Sequence, residues 1–233
     1  MLWVPEELET DKETTLILAG DLWHAKKPYD YDNQSWLKTL SEKFQYIIVV
    51  LGNHDFWGGN FPKEYDNYEK AFKEQNLNNV YLLQDNIIEI GNNKFIGGTL
   101  WTDYLDSNPI AMEMAENGPM KDYKFIKYGI AYQRIRAKHL LSAHIKTKNF
   151  IFTNAVKEFP EQKIWVITHH LPTIRSIPEE YLTDKRTKSM YENALYYSDL
   201  DAEIKKVQID FWIHGHTHQF QEYFIGKTLI ISN

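Results

Sequence analysis

The stretch Tyr46–Leu51, which reads YIIVVL, is the clearest strand signal in this sequence, and Gly52–Asp55 (GNHD) follows it directly. A short run of apolar, mostly β-branched residues is typical of a strand that is buried on both faces. Thr15–Ala19 has the same form, and Gly20–Asp21 comes directly after it. In parallel α/β proteins the functional residues collect at the carboxyl ends of strands. The two stretches therefore predict an α/β fold with a site at that edge.

Two later segments repeat this arrangement. Ile164–Thr168 is a buried strand by composition and leads into His169–His170, while Phe211–Ile213 leads into His214–His218 (HGHTH). Between the first two strands, Asn33–Phe44 places its apolar residues on one face and predicts a helix with Asn33 as N-cap. The alternation of strand and helix favours parallel organisation.

The remaining elements are predicted from shorter patterns. A helix is expected over about 129–146, a second helical stretch before Pro160, and a short helix at Asp199–Lys206. The stretch 171–198 has no clear period, which indicates a long functional loop or lid. Short strands are expected at the following places: Val80–Leu83, Ile87–Ile90, Lys94–Ile96, and a hairpin of Phe220–Phe224 with Thr228–Ile231.

Bulk properties limit the class of protein. With 233 residues and 43% hydrophobic content, the chain is expected to form one globular domain over residues 1–233. It has no cysteine, which excludes disulfides and zinc ribbons. We find no signal peptide and no apolar run of the roughly 20 residues that span a bilayer, so the cytoplasm is the expected compartment. The formal net charge of −6 argues against a general attraction to nucleic acid.

The residue types at the strand ends indicate metal-assisted chemistry. Carboxylate, amide and imidazole ligands without a thiolate suit manganese, iron or zinc in a Lewis-acid role. Two such cations about 3.5–4 Å apart can clamp phosphoryl oxygens and lower the pKa of a shared water. The chemistry that fits is phosphoester hydrolysis. If His216 and His218 occupy alternate positions of an extended segment, they point to the same side and can each serve one cation.

Taken together, the motifs resemble those of the calcineurin-like metallophosphoesterase family, in the same order and over nearly the whole chain. The resemblance rests on five segments: Gly20–Asp21, Gly52–Asp55, Gly97–Asp103, His169–His170 and Gly215–His218. Their ordered combination is far more specific than any one of them. The resemblance implies a four-layer α/β/β/α sandwich with mixed sheets. It also implies two divalent ions, drawn from manganese, iron, zinc and nickel.

The family's residue roles transfer to matching positions. The resemblance implies that Asp21 bridges the two ions and that Asn53, His169 and His216 complete one of them. It also implies that His218 binds the second ion, that His54 is the general acid facing the leaving group, and that Asp55 orients the ring of His54. By contrast, His170 is expected to line the pocket or pack, and His24 to lie outside the ligand set.

One family feature has no counterpart here. The nineteen residues before Gly20 contain no D-x-H motif, which in the family ends the first strand and supplies two ligands of the second ion. The first strand is therefore expected to be missing, with the chain truncated at its N-terminus and also at its C-terminus. The alternative is a complete chain with half of one metal site absent. In either case one ion should bind firmly.

Two functions remain open at this stage. The first is hydrolysis of phosphomonoesters or phosphodiesters by a metal-bound hydroxide, with His54 as general acid. The second is a catalytically impaired scaffold that binds metal or phosphate. The expected partner is a small phosphorylated substrate, with a nucleotide or a nucleic-acid end among the alternatives. No membrane and no protein partner is expected. Nucleic-acid processing would require a basic groove beside the site.

Overall fold

The computed structural model describes residues 4–6, 11–118, 120–182 and 187–232. Its strands are β1 (Thr15–Ala19), β2 (Tyr46–Val50), β3 (Asn60–Phe61), β4 (Val80–Leu83), β5 (Asn86–Ile90), β6 (Asn93–Gly98), β7 (Lys127–Tyr128), β8 (Gln133–Arg134), β9 (Lys163–Thr168), β10 (Phe211–His214), β11 (Gln221–Ile225) and β12 (Thr228–Ser232). Its helices are α1 (Tyr31–Lys43), α2 (Lys63–Glu74), α3 (Tyr104–Ser107), α4 (Pro109–Asn117), α5 (Asp122–Phe125), α6 (Ala137–Asn154), α7 (Glu179–Leu182), α8 (Thr187–Asn193) and α9 (Asp201–Ile204). Of these, α3 is a single turn with left-handed backbone angles.

The strands form two main sheets and one small one. Strands β1, β2 and β4 make a parallel three-stranded sheet in the order β1-β2-β4. A mixed six-stranded sheet has the order β11-β12-β10-β9-β6-β5, and its four central strands are parallel. The short strands β3, β7 and β8 form a separate ribbon. As a result, β1, β2, β9 and β10 all end at one edge of the molecule.

The side-chain alternation of β2 shows how the layers stack. Ile47 and Val49 lie in the same apolar cluster as Leu37 and Leu40 of α1. Ile48 and Val50 point the other way, into a cluster that contains Phe95 and Ile167 of the six-stranded sheet. A third cluster packs the far side of that sheet against α6. Because successive residues of a strand face opposite sides, this gives the order helix, sheet, sheet, helix. The expected four-layer α/β/β/α sandwich with mixed sheets is confirmed.

Most predicted strands are present, but three helix predictions need correction. Helix α1 begins at Tyr31, with Asp30 as N-cap, because the Asp30 carboxylate accepts from the backbone N–H of Asp32 at 3.3 Å. Asn33 instead donates its side-chain amide to the carbonyl oxygen of Lys27. The cap was therefore misplaced by three residues.

The helix predicted over 129–146 begins only at Ala137. Residues 127–134 form a β-hairpin whose turn contains Gly129, at φ 71°. Ile130 was counted as part of an apolar helix face, but it is 94% exposed at the hairpin tip. The second helical stretch predicted before Pro160 is helical only as far as Asn154, where it forms the end of α6 and not a separate helix.

The stretch 171–198 is not a structureless loop in its described part. It contains α7, the helical segment α8, and a 3-10 turn at Ile174–Ser176. Residues 183–186 lie outside the described residues. Among the helices that the structure does describe, none has the length and apolar content to cross a membrane.

Stability should depend on His144, which is buried in α6 beneath the site. Its Nδ1–H donates to the carbonyl oxygen of Leu100 at 3.1 Å, and burial lowers the pKa of His144 to about 4. Because the unfolded chain binds the proton more readily, the stabilisation is complete above the unfolded pKa of about 6.5 and is lost as the pH falls toward 4. His144→Asn keeps an N–H donor but does not titrate.

We therefore expect the free energy of unfolding to fall with pH less steeply in His144→Asn than in the wild type. The difference between the two proteins should amount to about 2 kcal/mol between pH 7 and pH 5. Urea unfolding at both pH values measures it, and each protein at pH 7 serves as its own reference. Parallel pH dependence in the two proteins would contradict a depressed pKa for His144.

Candidate metal centre

The strand-end motifs meet where the two main sheets face each other. His169, directly after β9, donates its Nδ1–H to the carbonyl oxygen of Ala19 at the end of β1, at 2.8 Å. The backbone N–H of His54, after β2, donates to Asp21 Oδ1 at 2.9 Å. These two bonds connect three loops that are distant in the chain. The local geometry of each loop is therefore set by its neighbours.

Glycine is required next to these side chains because there is no space for a Cβ atom. A Cβ on Gly52 would lie 2.1 Å from Asp21 Oδ1 and 2.7 Å from the His169 ring. A Cβ on Gly20 would lie 2.4 Å from His169 Nδ1, and Gly20 also has a φ of +96° that favours glycine. The glycine of each motif thus makes room for His169 and Asp21.

Four of the sequence-predicted metal residues come together. Potential ligand atoms of Asp21, His169 and His216 all lie within 4.8 Å of one another. His169 Nε2 is 3.4 Å from Asp21 Oδ2, 3.0 Å from His216 Nδ1 and 3.0 Å from Asn53 Oδ1. His169 and Asn53 are buried, while Asp21 and His216 are partly accessible. A substrate can therefore approach from the side of the last two residues.

The protonation pattern fits a cation at this point. Because His169 Nδ1 donates to Ala19, the neutral ring presents an unprotonated Nε2. Asn53 uses its amide nitrogen elsewhere, so its Oδ1 also faces the centre as an acceptor. His169 Nε2 lies 3.0 Å from Asn53 Oδ1. Burial lowers the pKa of His169 but Asp21 raises it above its ordinary value, so a proton on Nε2 can bridge the two atoms, and a cation would take the place of that proton. One carboxylate, one amide oxygen and two imidazole nitrogens form a ligand set that suits a hard or borderline divalent ion.

The charges of the centre are compatible with this set. Burial alone would raise the pKa of Asp21, but His169 and His54 hold it well below its ordinary value, so the carboxylate is ionised. Burial, together with His170 and His169, holds the pKa of His216 well below its ordinary value. The His216 ring is therefore neutral at neutral pH and has a lone pair to offer. The same shift would follow in any buried cluster of imidazoles.

His218 was assigned to a second ion, on the assumption that His216 and His218 lie on one extended segment, and this assumption is wrong. The segment after β10 is not extended, because His216 and His218 have left-handed backbone angles, with φ of 73° and 54°. The alternation rule for strands consequently does not apply to them. His218 is exposed and lies on the wall of a neighbouring cavity with His216. Its role as a ligand of a second ion stays a prediction.

Asp55 has different partners from those expected. Its buried carboxylate accepts hydrogen bonds from the backbone N–H groups of Leu22, Trp23 and Gly52 and from the hydroxyl of Tyr68, at 2.8–3.3 Å. It does not orient the ring of His54 in this structure. Asp55 instead ties the Asp21 loop to the Gly52 loop, and so positions two sides of the centre. Burial raises its pKa to about 6, which leaves it ionised at neutral pH.

His54 lies at the accessible side of the centre. Its Nδ1 is 3.8 Å from Asp21 Oδ2 and its side chain is 39% exposed. The ring packs on Trp57, with ring centroids 3.7 Å apart. His24, which was placed outside the ligand set, is exposed, with its ring centroid 6.0 Å from that of His54. His170 is buried, and its Nδ1–H donates to the carbonyl oxygen of Thr99.

Asp122 is a site residue that sequence reasoning missed. It lies in α5, is buried, and its Oδ1 accepts from the Asn53 side-chain amide at 2.9 Å and from the Trp57 indole N–H at 2.6 Å. The first bond decides which end of the Asn53 amide faces the centre, and the second holds the ring beneath His54. Asp122 follows no strand and belongs to no motif, so nothing local distinguished it from a surface aspartate.

Two cavities flank the centre. One of about 450 Å³ lies beside His216 and His218 and includes Tyr181 and Tyr196 of the predicted lid. The ring of Tyr196 is 4.9 Å from that of His216. The other, of about 770 Å³, borders Asp21 and His54 and extends along α1. Substrate groups on either side of a phosphate therefore have space.

Three basic residues of the stretch 171–198 could contact a substrate phosphate: Arg175, Lys185 and Arg186. Arg175 pairs with Asp201 at 2.7 Å, so its charge is largely neutralised. Lys185 and Arg186 lie outside the described residues.

The two histidines after β10 should differ in their effect on metal binding. His216→Ala removes a nitrogen from the group, and we expect the affinity for Mn²⁺ to fall by about 100-fold or more, since even outer-shell changes cost 10–100-fold. His218→Ala, the matched control two residues away, should change the affinity for the first ion little. Isothermal titration of chelator-stripped protein measures both. Equal losses in the two variants would contradict the geometry.

The role of Asp122 can be tested by separating its hydrogen bonds from its charge. Asp122→Ala removes the acceptor that orients Asn53, and we expect Mn²⁺ affinity to fall about 10–100-fold. Asp122→Asn keeps an oxygen that can accept both bonds and should lose much less. Trp57→Phe removes only the hydrogen bond from the indole N–H to Asp122. It serves as a control for a general loss of rigidity around Asp122. If the alanine and asparagine variants bind Mn²⁺ equally well, Asp122 does not act by orienting Asn53.

Comparison with known proteins identifies the family of this chain. The sequence matches the calcineurin-like phosphoesterase family over residues 3–220. It is 25% identical over 228 residues to the uncharacterized protein L509 of Acanthamoeba polyphaga mimivirus, covering 94% of this chain and 76% of that protein.

A solved structure has the same fold. The phosphopantetheinyl hydrolase PptH from Mycobacterium tuberculosis superposes with a TM-score of 0.63 at 14% identity, covering 94% of this chain and 77% of PptH. A putative 5′-nucleotidase from Staphylococcus aureus aligns with a TM-score of only 0.33, at 14% identity, over 94% of this chain and 47% of that structure. With a family match over most of its length, the chain belongs to the calcineurin-like phosphoesterase family and is a metallophosphoesterase.

Proposed function

We propose that this protein hydrolyses phosphodiesters or phosphomonoesters at the centre formed by Asp21, Asn53, His169 and His216, with His54 as the proton donor. The proposal is supported above all by the convergence of four ligand atoms with compatible protonation around His169 Nε2. The family supports metal-dependent phosphoester hydrolysis in general. A small phosphorylated substrate is the partner that fits this chemistry.

The four residues of the centre would hold one divalent ion firmly, of manganese, iron, zinc or nickel. Such an ion, when bound, polarises a phosphoryl oxygen and lowers the pKa of a coordinated water. A second ion would find only Asp21 and His218 among the ligands that the sequence suggests, and should bind weakly. The number of ions that bind firmly is therefore set by the number of ligands that each site offers.

His54 is suited to protonate the leaving group. Burial lowers its pKa below the ordinary value, while Asp21 and Asp122 oppose the shift. An imidazolium whose pKa lies near or below neutrality releases its proton readily to a developing alkoxide. Packing on Trp57 fixes the plane of the ring, so that the proton is delivered from a defined position. Asp55 acts here as a positioning residue, because it holds the two loops that carry Asp21 and His54.

The alternative of a metal- or phosphate-binding scaffold makes a different prediction. A binder would retain phosphate ligands unchanged, and it has no need for an accessible imidazole beside the centre. Mn²⁺-dependent release of p-nitrophenol from bis-p-nitrophenyl phosphate or from p-nitrophenyl phosphate tests the two functions. Asp21→Ala should abolish it. Phosphate binding without turnover of either substrate would favour the scaffold.

The proton-donor role of His54 can be isolated by the choice of leaving group. His54→Asn should reduce kcat by about 100-fold or more for an alkyl phosphoester, whose leaving oxygen must be protonated. With p-nitrophenyl esters the loss should be much smaller, since p-nitrophenolate leaves without a proton. Steady-state kinetics on the two substrates measure the ratio, and Mn²⁺ titration checks that metal binding is retained. An equal loss on both substrates would argue against proton donation by His54.

A further inference from the structure

Positive charge is concentrated in one segment beside the metal centre. Residues 121–138 contain six basic residues and one acidic residue, in a chain whose formal net charge is −6. The acidic residue is Asp122, which is buried and faces the site. We call residues 121–138 the basic hairpin. Outside this segment the chain has more acidic than basic residues.

Within the basic hairpin, two cations lie side by side. Lys127 of β7 and Arg134 of β8 are directly opposite each other in the antiparallel register. In the described part of the chain, no carboxylate forms an ion pair with either of them. Arg134 donates its Nε–H to the carbonyl oxygen of Tyr123 and keeps the rest of its guanidinium free of protein carboxylates. Like charges opposite each other destabilise a strand pair, unless an anion binds there.

Apolar and aromatic side chains are exposed among these cations. Phe125, Ile130 and Tyr132 are 37%, 94% and 61% exposed. Lys124 Nζ lies 5.5 Å from the centroid of the Phe125 ring. Exposed rings interleaved with lysines and arginines are the pattern of a surface on which bases stack while cations contact phosphates.

The basic hairpin is continuous with the catalytic side of the centre. The ring of Phe125 is 5.3 Å from that of Trp57, and Trp57 lies 3.7 Å from His54. The carbonyl oxygen of Phe125 accepts from the backbone N–H of Gly58 at 3.0 Å, which fixes this order of rings. Adjacent aromatic rings therefore connect the basic hairpin to His54, the proposed proton donor.

We propose that the basic hairpin binds single-stranded nucleic acid and guides one of its phosphodiesters to the metal centre. The inference rests on the proposed function, whose substrate class it narrows. Lys121, Lys124, Lys127 and Arg134 contact backbone phosphates, while Phe125 and Tyr132 stack on bases. A duplex does not offer free base faces to these rings. An anionic membrane would touch the tip at Ile130 but would leave the rings between Phe125 and His54 unused.

Binding can be measured without catalysis. The full chain in EDTA is titrated into a fluorescein-labelled oligothymidylate of about twelve nucleotides, and fluorescence anisotropy gives Kd at several salt concentrations. The double variant Lys124→Glu/Lys127→Glu should weaken binding at least about tenfold and reduce the salt dependence, because each lost phosphate contact removes about 0.7 from the logarithmic slope. Phe125→Ala should weaken binding with little change in that slope.

A matched control carries the same charge change elsewhere. Lys205 and Lys206 are exposed at the opposite edge, near the start of β10, and Lys205→Glu/Lys206→Glu should leave Kd nearly unchanged. Since a substitution in β7 could unfold the hairpin, Lys121→Glu/Lys124→Glu serves as a second variant outside the strands. Circular dichroism and thermal unfolding verify each fold.

The outcomes separate this inference from the proposed function. Four results would each overturn the inference: no binding by the wild type, an equal loss of affinity in the Lys205→Glu/Lys206→Glu control, equal affinity for a duplex, or binding only to phosphatidylglycerol vesicles. If bis-p-nitrophenyl phosphate is hydrolysed while the oligonucleotide is not bound, the inference fails and the proposed function stands. If the oligonucleotide is bound through the basic hairpin but no phosphoester is hydrolysed, the hairpin is supported as a binding surface and the proposed function fails.

Discussion

The hydrogen bond from His169 Nδ1 to the carbonyl oxygen of Ala19 joins the two main sheets at the edge where the site lies. It also sets the tautomer of His169, because a ring that donates from Nδ1 has its lone pair on Nε2. That nitrogen is the point on which the other ligand atoms converge. The glycines at positions 20 and 52 are there because the His169 ring and the Asp21 carboxylate occupy the space of a side chain. The packing of the two sheets and the orientation of the metal ligands therefore depend on the same hydrogen bond.

Two buried carboxylates extend this constraint outward. Burying a carboxylate is costly unless hydrogen-bond donors surround it. Asp55 meets the requirement with three backbone amides and the Tyr68 hydroxyl, and Asp122 with the Asn53 amide and the Trp57 indole. Each carboxylate therefore stabilises a particular arrangement of the loops that carry the ligands. Neither touches the space in which a phosphate would lie, so both act through other residues.

Charge distribution shapes what the protein can bind. The acidic average would repel a nucleic acid, but a single segment beside the centre is basic, aromatic and exposed. Electrostatic attraction decays over about 10 Å at ordinary ionic strength, so a local patch matters more than the net charge. The same segment contains Asp122, which holds Asn53 and Trp57. The proposed binding surface and the site geometry thus share one structural element.

The sequence alone determined the strands β1, β2, β9 and β10, the ligand-type residues that follow them, and the family, because each of these signals is local and period-based. It could not determine the direction of His218, which depends on a left-handed backbone at His216 and His218. It misread residues 129–134 as helix, since the apolar Ile130 fits a helix face by its spacing, although the structure exposes it at the hairpin tip. The partners of Asp55 and the place of Asp122 were decided only by the tertiary structure, because hydrogen bonds between residues more than thirty or sixty positions apart leave no trace in local patterns.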